Sequence, residues 1–97
     1  MGYLFEFEWD DIKDAFKRRQ FGFGFQEVVA MFDAPCSYRP NDFYPEQCRV
    51  TGFVPTAGDL FTVAYEERFD AENTAYVHLI TFWRASPEER KAYEKDH

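Results

Sequence analysis

Leu60-Phe61-Thr62-Val63-Ala64-Tyr65-Glu66-Glu67 sets Phe61, Val63 and Tyr65 on one side of the chain and Thr62, Ala64 and Glu66 on the other. A period of two over this length is the pattern of a half-buried β-strand. Ahead of it, Pro55-Thr56-Ala57-Gly58-Asp59 has the residues of a hairpin turn, with Gly58 where a positive φ is needed. Gln47–Val54 is then the strand that enters this turn. Asp70–Asn73 turns the chain again, and Ala75–Trp83 is a further strand. Three consecutive strands joined by short turns run antiparallel, so the predicted class is α+β, with helices against a small antiparallel sheet.

Upstream, Tyr3, Phe5, Phe7 and Trp9 alternate with Leu4, Glu6 and Glu8, which predicts a first strand. Asp10 offers an N-cap oxygen, and Asp11 and Asp14 fall in the first turn, where the helix dipole favours acids. A helix is expected over Asp10–Gln20, with Ile12, Ala15, Phe16 and Arg19 sharing a face and Lys17-Arg18-Arg19 forming a basic cluster. Gly22 and Gly24 break it with a turn. Phe25, Val28, Val29 and Phe32 recur at i, i+3, i+4 and i+7, predicting a second helix that Asp33-Ala34-Pro35 ends. Residues 36–45 read as a loop with a short extended piece at Cys36–Tyr38. Ser86-Pro87-Glu88-Glu89 is a capping box with proline at the first helical position, opening a helix from Pro87 to about Lys95. The expected order is β-α-α-β-β-β-α in one domain spanning residues 1–97.

Composition narrows the function. The 97 residues carry a net charge of −7, from 18 acids against 11 bases. Nonspecific nucleic-acid affinity comes from Lys and Arg neutralising phosphates, so this balance argues against it. Twelve Phe and six Tyr are many for such a short chain; they fill a small core or leave rings on an interaction face or a dimer seam. Cys36 and Cys48 have no histidine near them, which is no zinc pattern, and with no secretory leader recognised both are expected reduced. No apolar run approaches ~20 residues, so no membrane span is expected, and the cytoplasm is the expected compartment. No metal or cofactor is called for.

Few residues suggest chemistry. His78 sits within a strand and His97 at the end, neither with triad neighbours. Arg49, Arg68 and Arg84 lie on or just beyond three strands, where guanidinium groups gathered on one face would suit a phosphate. Each also has a carboxylate nearby in sequence (Glu46, Glu66 or Glu67, and Glu88) with which it would simply pair.

Phe7-Glu8-Trp9-Asp10 with Lys13, then Gly22, Phe25, Glu27 and Phe32-Asp33-Ala34-Pro35, resembles the N-terminal half of BrnT-type toxins. Glu46, Arg49, Gly58-Asp59-Leu60, Tyr65 and Glu67-Arg68 follow the family's central hairpin, and Arg84-Ala85-Ser86, Glu89-Arg90 and Tyr93-Glu94 its C-terminal helix. The likeness covers nearly the whole chain. It implies a fold similar to the RelE superfamily and an RNA-cleaving toxin neutralised by a cognate DNA-binding antitoxin of ribbon-helix-helix type. It also implies site residues Trp9, Glu46, Arg49 and Arg68, with Glu46 as base and the arginines on RNA.

Two motifs depart from the family. Its Lys-His-Gly is Gln20-Phe21-Gly22 here, and its Ser-Ala-Arg is Thr81-Phe82-Trp83. Phe21 and Trp83 therefore stand where polar groups are expected, and Arg84 comes one position late, on the opposite strand face. The loss of a proton-transfer group typically slows such a reaction ~10²–10⁴-fold, so weak or absent cleavage is expected. The alternative is a non-catalytic acidic inhibitor, of the kind phages and mobile elements use, that occupies a nucleic-acid-binding host defence complex. Its acidic stripes would be Glu6 and Glu8, Asp10, Asp11 and Asp14, and residues from Asp59 through Glu72.

Overall fold

The structure is a computed structural model describing residues 6–41 and 43–97. Among these residues the chain forms β1 (Glu6–Glu8), α1 (Asp11–Phe21), α2 (Phe25–Val28), β2 (Ser37–Pro40), β3 (Cys48–Val54), β4 (Asp59–Phe69), β5 (Ala75–Arg84) and α3 (Pro87–Asp96). A 3-10 turn, Val29–Asp33, continues α2. The Tyr3, Leu4 and Phe5 part of the first predicted strand lies outside the described residues.

The α+β class holds, but the sheet is mixed rather than purely antiparallel. Its order is β1-β5-β4-β3-β2. The hairpin strands β3, β4 and β5 are antiparallel neighbours as their short turns require, whereas β1 pairs with β5 in parallel. Parallel neighbours need a long crossover, and α1, α2 and the hairpins supply it. A fifth strand is also present. β2 extends the predicted Cys36–Tyr38 piece to Pro40 and pairs Arg39 with Arg49.

A bulge in β5 fixes which side chains meet. Tyr65 pairs with Leu79 and Ala64 with Thr81, leaving Ile80 unopposed. The extra residue restarts the alternation, so Leu79 and Phe82 both face the core. They join Val50, Val54, Phe61, Val63 and Val77, closed over by Phe23, Phe25, Val28 and Met31. Phe82 is the centre of the ring packing, with ring centroids 5.0 Å from Phe25 and 5.6 Å from Phe21. The opposite face carries Arg49, Thr51, Thr62 and Trp83, with α3 lying against β2 and β3.

The predicted faces of α1 are reversed. Asp10 caps the helix by accepting from the Lys13 N–H at 2.9 Å, as its position implies. No residue of α1 is buried, however, and Ile12 and Phe16 are 70% and 64% exposed. The inward side is polar. Lys13 Nζ donates to the Ile80 carbonyl at 3.1 Å and Lys17 Nζ to the Phe82 carbonyl at 2.7 Å. The register of β1 stops at His78, so α1 satisfies the β5 backbone beyond it.

The turn after α1 uses its two glycines differently. Gly22 takes φ +83° as the left-handed cap of the helix. Gly24 has φ −126°, an ordinary extended value. It is needed for space, because a Cβ there would collide with the Asp14 carboxylate. That carboxylate accepts from the Phe25 N–H at 2.8 Å and from Arg18 Nε at 2.9 Å, tying α1 to α2. The basic cluster is thereby dispersed: Lys17 turns to β5, Arg18 to Asp14 and Glu27, and Arg19 outward.

Candidate functional site

Arg49 sits in mid-β3 on the sheet face opposite the core, and its cross-strand neighbour Arg39 on β2 stands beside it. Trp83, placed on the same face by the bulge, has its ring centroid 5.5 Å from the Arg49 guanidinium carbon. With Thr51, Ser86, Glu88 and Glu89 the two arginines line a pocket of about 230 Å³ between β2, β3 and the start of α3. The Arg49 Nε is buried and has no hydrogen-bond partner among the described residues. A buried guanidinium N–H without an acceptor is uncommon, because the desolvated donor costs about 1–3 kcal/mol.

The wall of the pocket is built by the capping box at the start of α3. Glu89 Oε1 accepts from the Ser86 N–H at 2.8 Å and from Trp83 Nε1 at 3.0 Å, and the Glu89 N–H donates to Ser86 Oγ at 3.2 Å. Glu89 is buried. Burial pushes its pKa up, but the donors from Ser86, Trp83 and Thr62 together outweigh it and hold the carboxyl below its ordinary value. Two guanidiniums thus face two carboxylates, Glu88 and Glu89, across the pocket. The local charge is close to balanced, which does little to concentrate a polyanion.

The other predicted site residues do not converge here. Arg68 is on the same face as Arg49, but Arg49 pairs with Ala64, four positions along β4. Its guanidinium pairs with Glu66 and stands 3.7 Å from Glu8, which in turn contacts His78 Nδ1 at 2.5 Å. Glu46 is exposed in the turn before β3, with no side-chain hydrogen bond or ion pair among the described residues. Arg84 points to the core-side face, over the Phe61 ring at 5.2 Å, and pairs with Asp59 at 2.6 Å rather than with Glu88. Asp59 also receives both terminal nitrogens of Arg90, at 2.7 and 3.1 Å. Arg90, the Leu60 N–H and Arg84 hold the Asp59 carboxyl far below the usual range.

Trp9 and Phe21 are half-buried packing residues in this structure. Trp9 stacks on Phe25 with centroids 5.9 Å apart, and Phe21 packs edge-on against Phe61 at 5.3 Å. Comparisons with protein-family models, with curated proteins and with solved structures find no match. Among the described residues, no three His, Cys, Asp or Glu side chains cluster to hold a metal ion, and no helix is long and apolar enough to cross a membrane.

Sequence reasoning missed Arg39, because the extended piece was expected to stop at Tyr38, one residue short of it. Glu89 takes the capping-box position expected of it, but its burial against the sheet was not anticipated. The capping-box position of Glu89 and the nearby Trp83, itself in need of an acceptor, were the available signals.

Proposed function

We propose that this chain is a BrnT-like, RelE-like toxin scaffold that has lost effective RNA cleavage and works by binding, as the toxin-side partner of a small ribbon-helix-helix antitoxin. The single observation that carries the loss of cleavage is the state of Arg68: its guanidinium is taken up by Glu66 and Glu8. Glu46, the candidate base, stands out in solvent on the turn before β3. Cleavage needs a base at the 2′-hydroxyl and positive charge at the phosphorus together, and the carboxylates already on Arg68 offset the charge it could offer there. Of the site residues that the resemblance implies, Arg49 alone lines the pocket beside Trp83.

The acidic-inhibitor reading has less support. Of the carboxylates that would imitate phosphates, Asp14, Asp59, Glu8 and Glu66 are each engaged by a cation of this chain. The experiment is co-expression of the chain with the neighbouring reading frame, followed by purification and an RNA-cleavage assay of the free chain. A stable complex with a ribbon-helix-helix protein and no cleavage by the free chain is expected. Failure to bind that neighbour, or cleavage that disappears in Arg49→Ala, overturns the reading.

A further inference from the structure

The outward face of α1 is apolar in its middle and oppositely charged at its two ends. Ile12 and Phe16, one turn apart, are 70% and 64% exposed, and Ala15 lies between them. With Asp11 and Arg19 they line a shallow groove of about 290 Å³. Asp11 begins the face and Arg19 ends it, eight residues or roughly 12 Å apart along the axis. Neither has an ion-pair partner among the described residues, whereas Asp14 and Arg18 of the same helix pair with each other. The helix therefore has a finished side and an unfinished one.

We infer that a second copy of this chain covers this face, with α1 packed antiparallel against the partner subunit's α1 about a two-fold axis at Ala15. Residue n then faces residue 30 − n of the partner, since two-fold pairing about position 15 makes facing numbers sum to twice that value. Asp11 meets the partner's Arg19, and Arg19 meets the partner's Asp11. Ile12 lies two positions, about 3 Å along the axis, from the level of the partner's Phe16, within side-chain reach. Alanine at the axis lets the helices approach to the ~8 Å lower end of helix packing. Antiparallel helices also set each macrodipole against the other. A parallel pairing would put Asp11 on Asp11 and Arg19 on Arg19. A uniformly acidic or basic partner would match one end of the face and repel the other. The surface is self-complementary, as an isologous interface must be.

One short helix per copy buries less than the ~1,600 Å² of a standard interface, so the association is expected to be weak and concentration-dependent. The test is sedimentation velocity on the purified chain alone, without RNA or antitoxin, from ~1 µM to ~500 µM, which spans weak interfaces of this class. The expected result is a reversible shift from the 11.6 kDa monomer toward twice that mass. Phe16→Glu should abolish the shift with an unchanged thermal melt, because no α1 residue is buried. Asp11→Arg and Arg19→Asp should each weaken dimerisation by about tenfold, and the double exchange should restore it. A monomer at every concentration overturns the inference, as does a dimer that survives Phe16→Glu. A double exchange no better than its weaker single variant overturns the proposed register. None of these outcomes bears on RNA cleavage or antitoxin binding, so this inference and the proposed function fail separately.

Discussion

Arg49 and Arg68 share one face of the sheet but stand roughly 13 Å apart along it, because four residues of β4 at about 3.3 Å each separate Ala64, which faces Arg49, from Arg68. Arg49 lines a pocket beneath α3, whereas Arg68 closes a surface network with Glu66, Glu8 and, through Glu8, His78. The same residue type in the same strand alternation has two different roles. What separates them is the supply of carboxylates within reach.

The Arg68 network is solvent-exposed, and exposed ion pairs contribute at most ~1 kcal/mol each. Arg68→Ala should therefore lower stability by about 1 kcal/mol or less in urea unfolding. RNA affinity should be unchanged, while Arg49→Ala lowers whatever affinity exists.

Glu89 is the acceptor on which the start of α3 depends. Glu89→Ala leaves the Trp83 indole N–H and the Ser86 N–H without their acceptor at 3.0 and 2.8 Å. Loss of the cap and a buried unsatisfied donor should together cost about 2–4 kcal/mol. Glu89→Gln, which keeps an acceptor oxygen, should cost less. Chemical denaturation measures the difference, and Trp83 fluorescence should report the altered indole environment.

Asp59 joins the start of β4 to Arg84 and Arg90, and its carboxyl is held far below the ordinary value by Arg90, the Leu60 N–H and Arg84. A carboxyl depressed in the folded state contributes stability above its unfolded pKa of ~3.9 and loses it as pH falls toward the folded value. Stability should accordingly drop below about pH 4. Asp59→Asn should be less stable at neutral pH and show a shallower loss over that acid range, as followed by thermal melts in a pH series.

Lys13 and Lys17 satisfy carbonyls of β5 that no strand among the described residues covers. Replacing both with methionine keeps the stems and removes the donors. Each lost bond from a charged donor is worth about 1.5–3 kcal/mol, and the bared strand edge becomes a template for another chain. The double variant should unfold more easily and form β-rich aggregates, detected by light scattering and infrared spectroscopy.

The local parts of this fold were readable from the sequence because local chemistry determines them. Asp10 and Ser86 cap helices through oxygens in fixed positions, and the alternation of Phe61, Val63 and Tyr65 needs only its own strand. The non-local parts were not. Nothing in Glu6–Glu8 indicates that it lies parallel to β5, and nothing in Ala75–Arg84 marks Ile80 as the residue the sheet leaves unpaired. The inward face of α1 was misread for a related reason. Ile12 and Phe16 form a stripe that ordinarily points to a core, but the open carbonyls of β5 take lysines instead. In the candidate site, Arg49 was identified and Trp83 was placed beside it only by the bulge. Arg39 and Glu89 enter through β2 and α3, whose docking on that face no sequence period reveals.

Incubating the purified chain with a mixed-sequence RNA, alongside Arg49→Ala and Arg68→Ala, tests the loss of catalysis directly. The expected result is no cleavage above the buffer background for any of the three proteins. Efficient cleavage by the unmodified chain that both substitutions abolish would contradict it, since Arg49 and Arg68 would then have to act together on one phosphate.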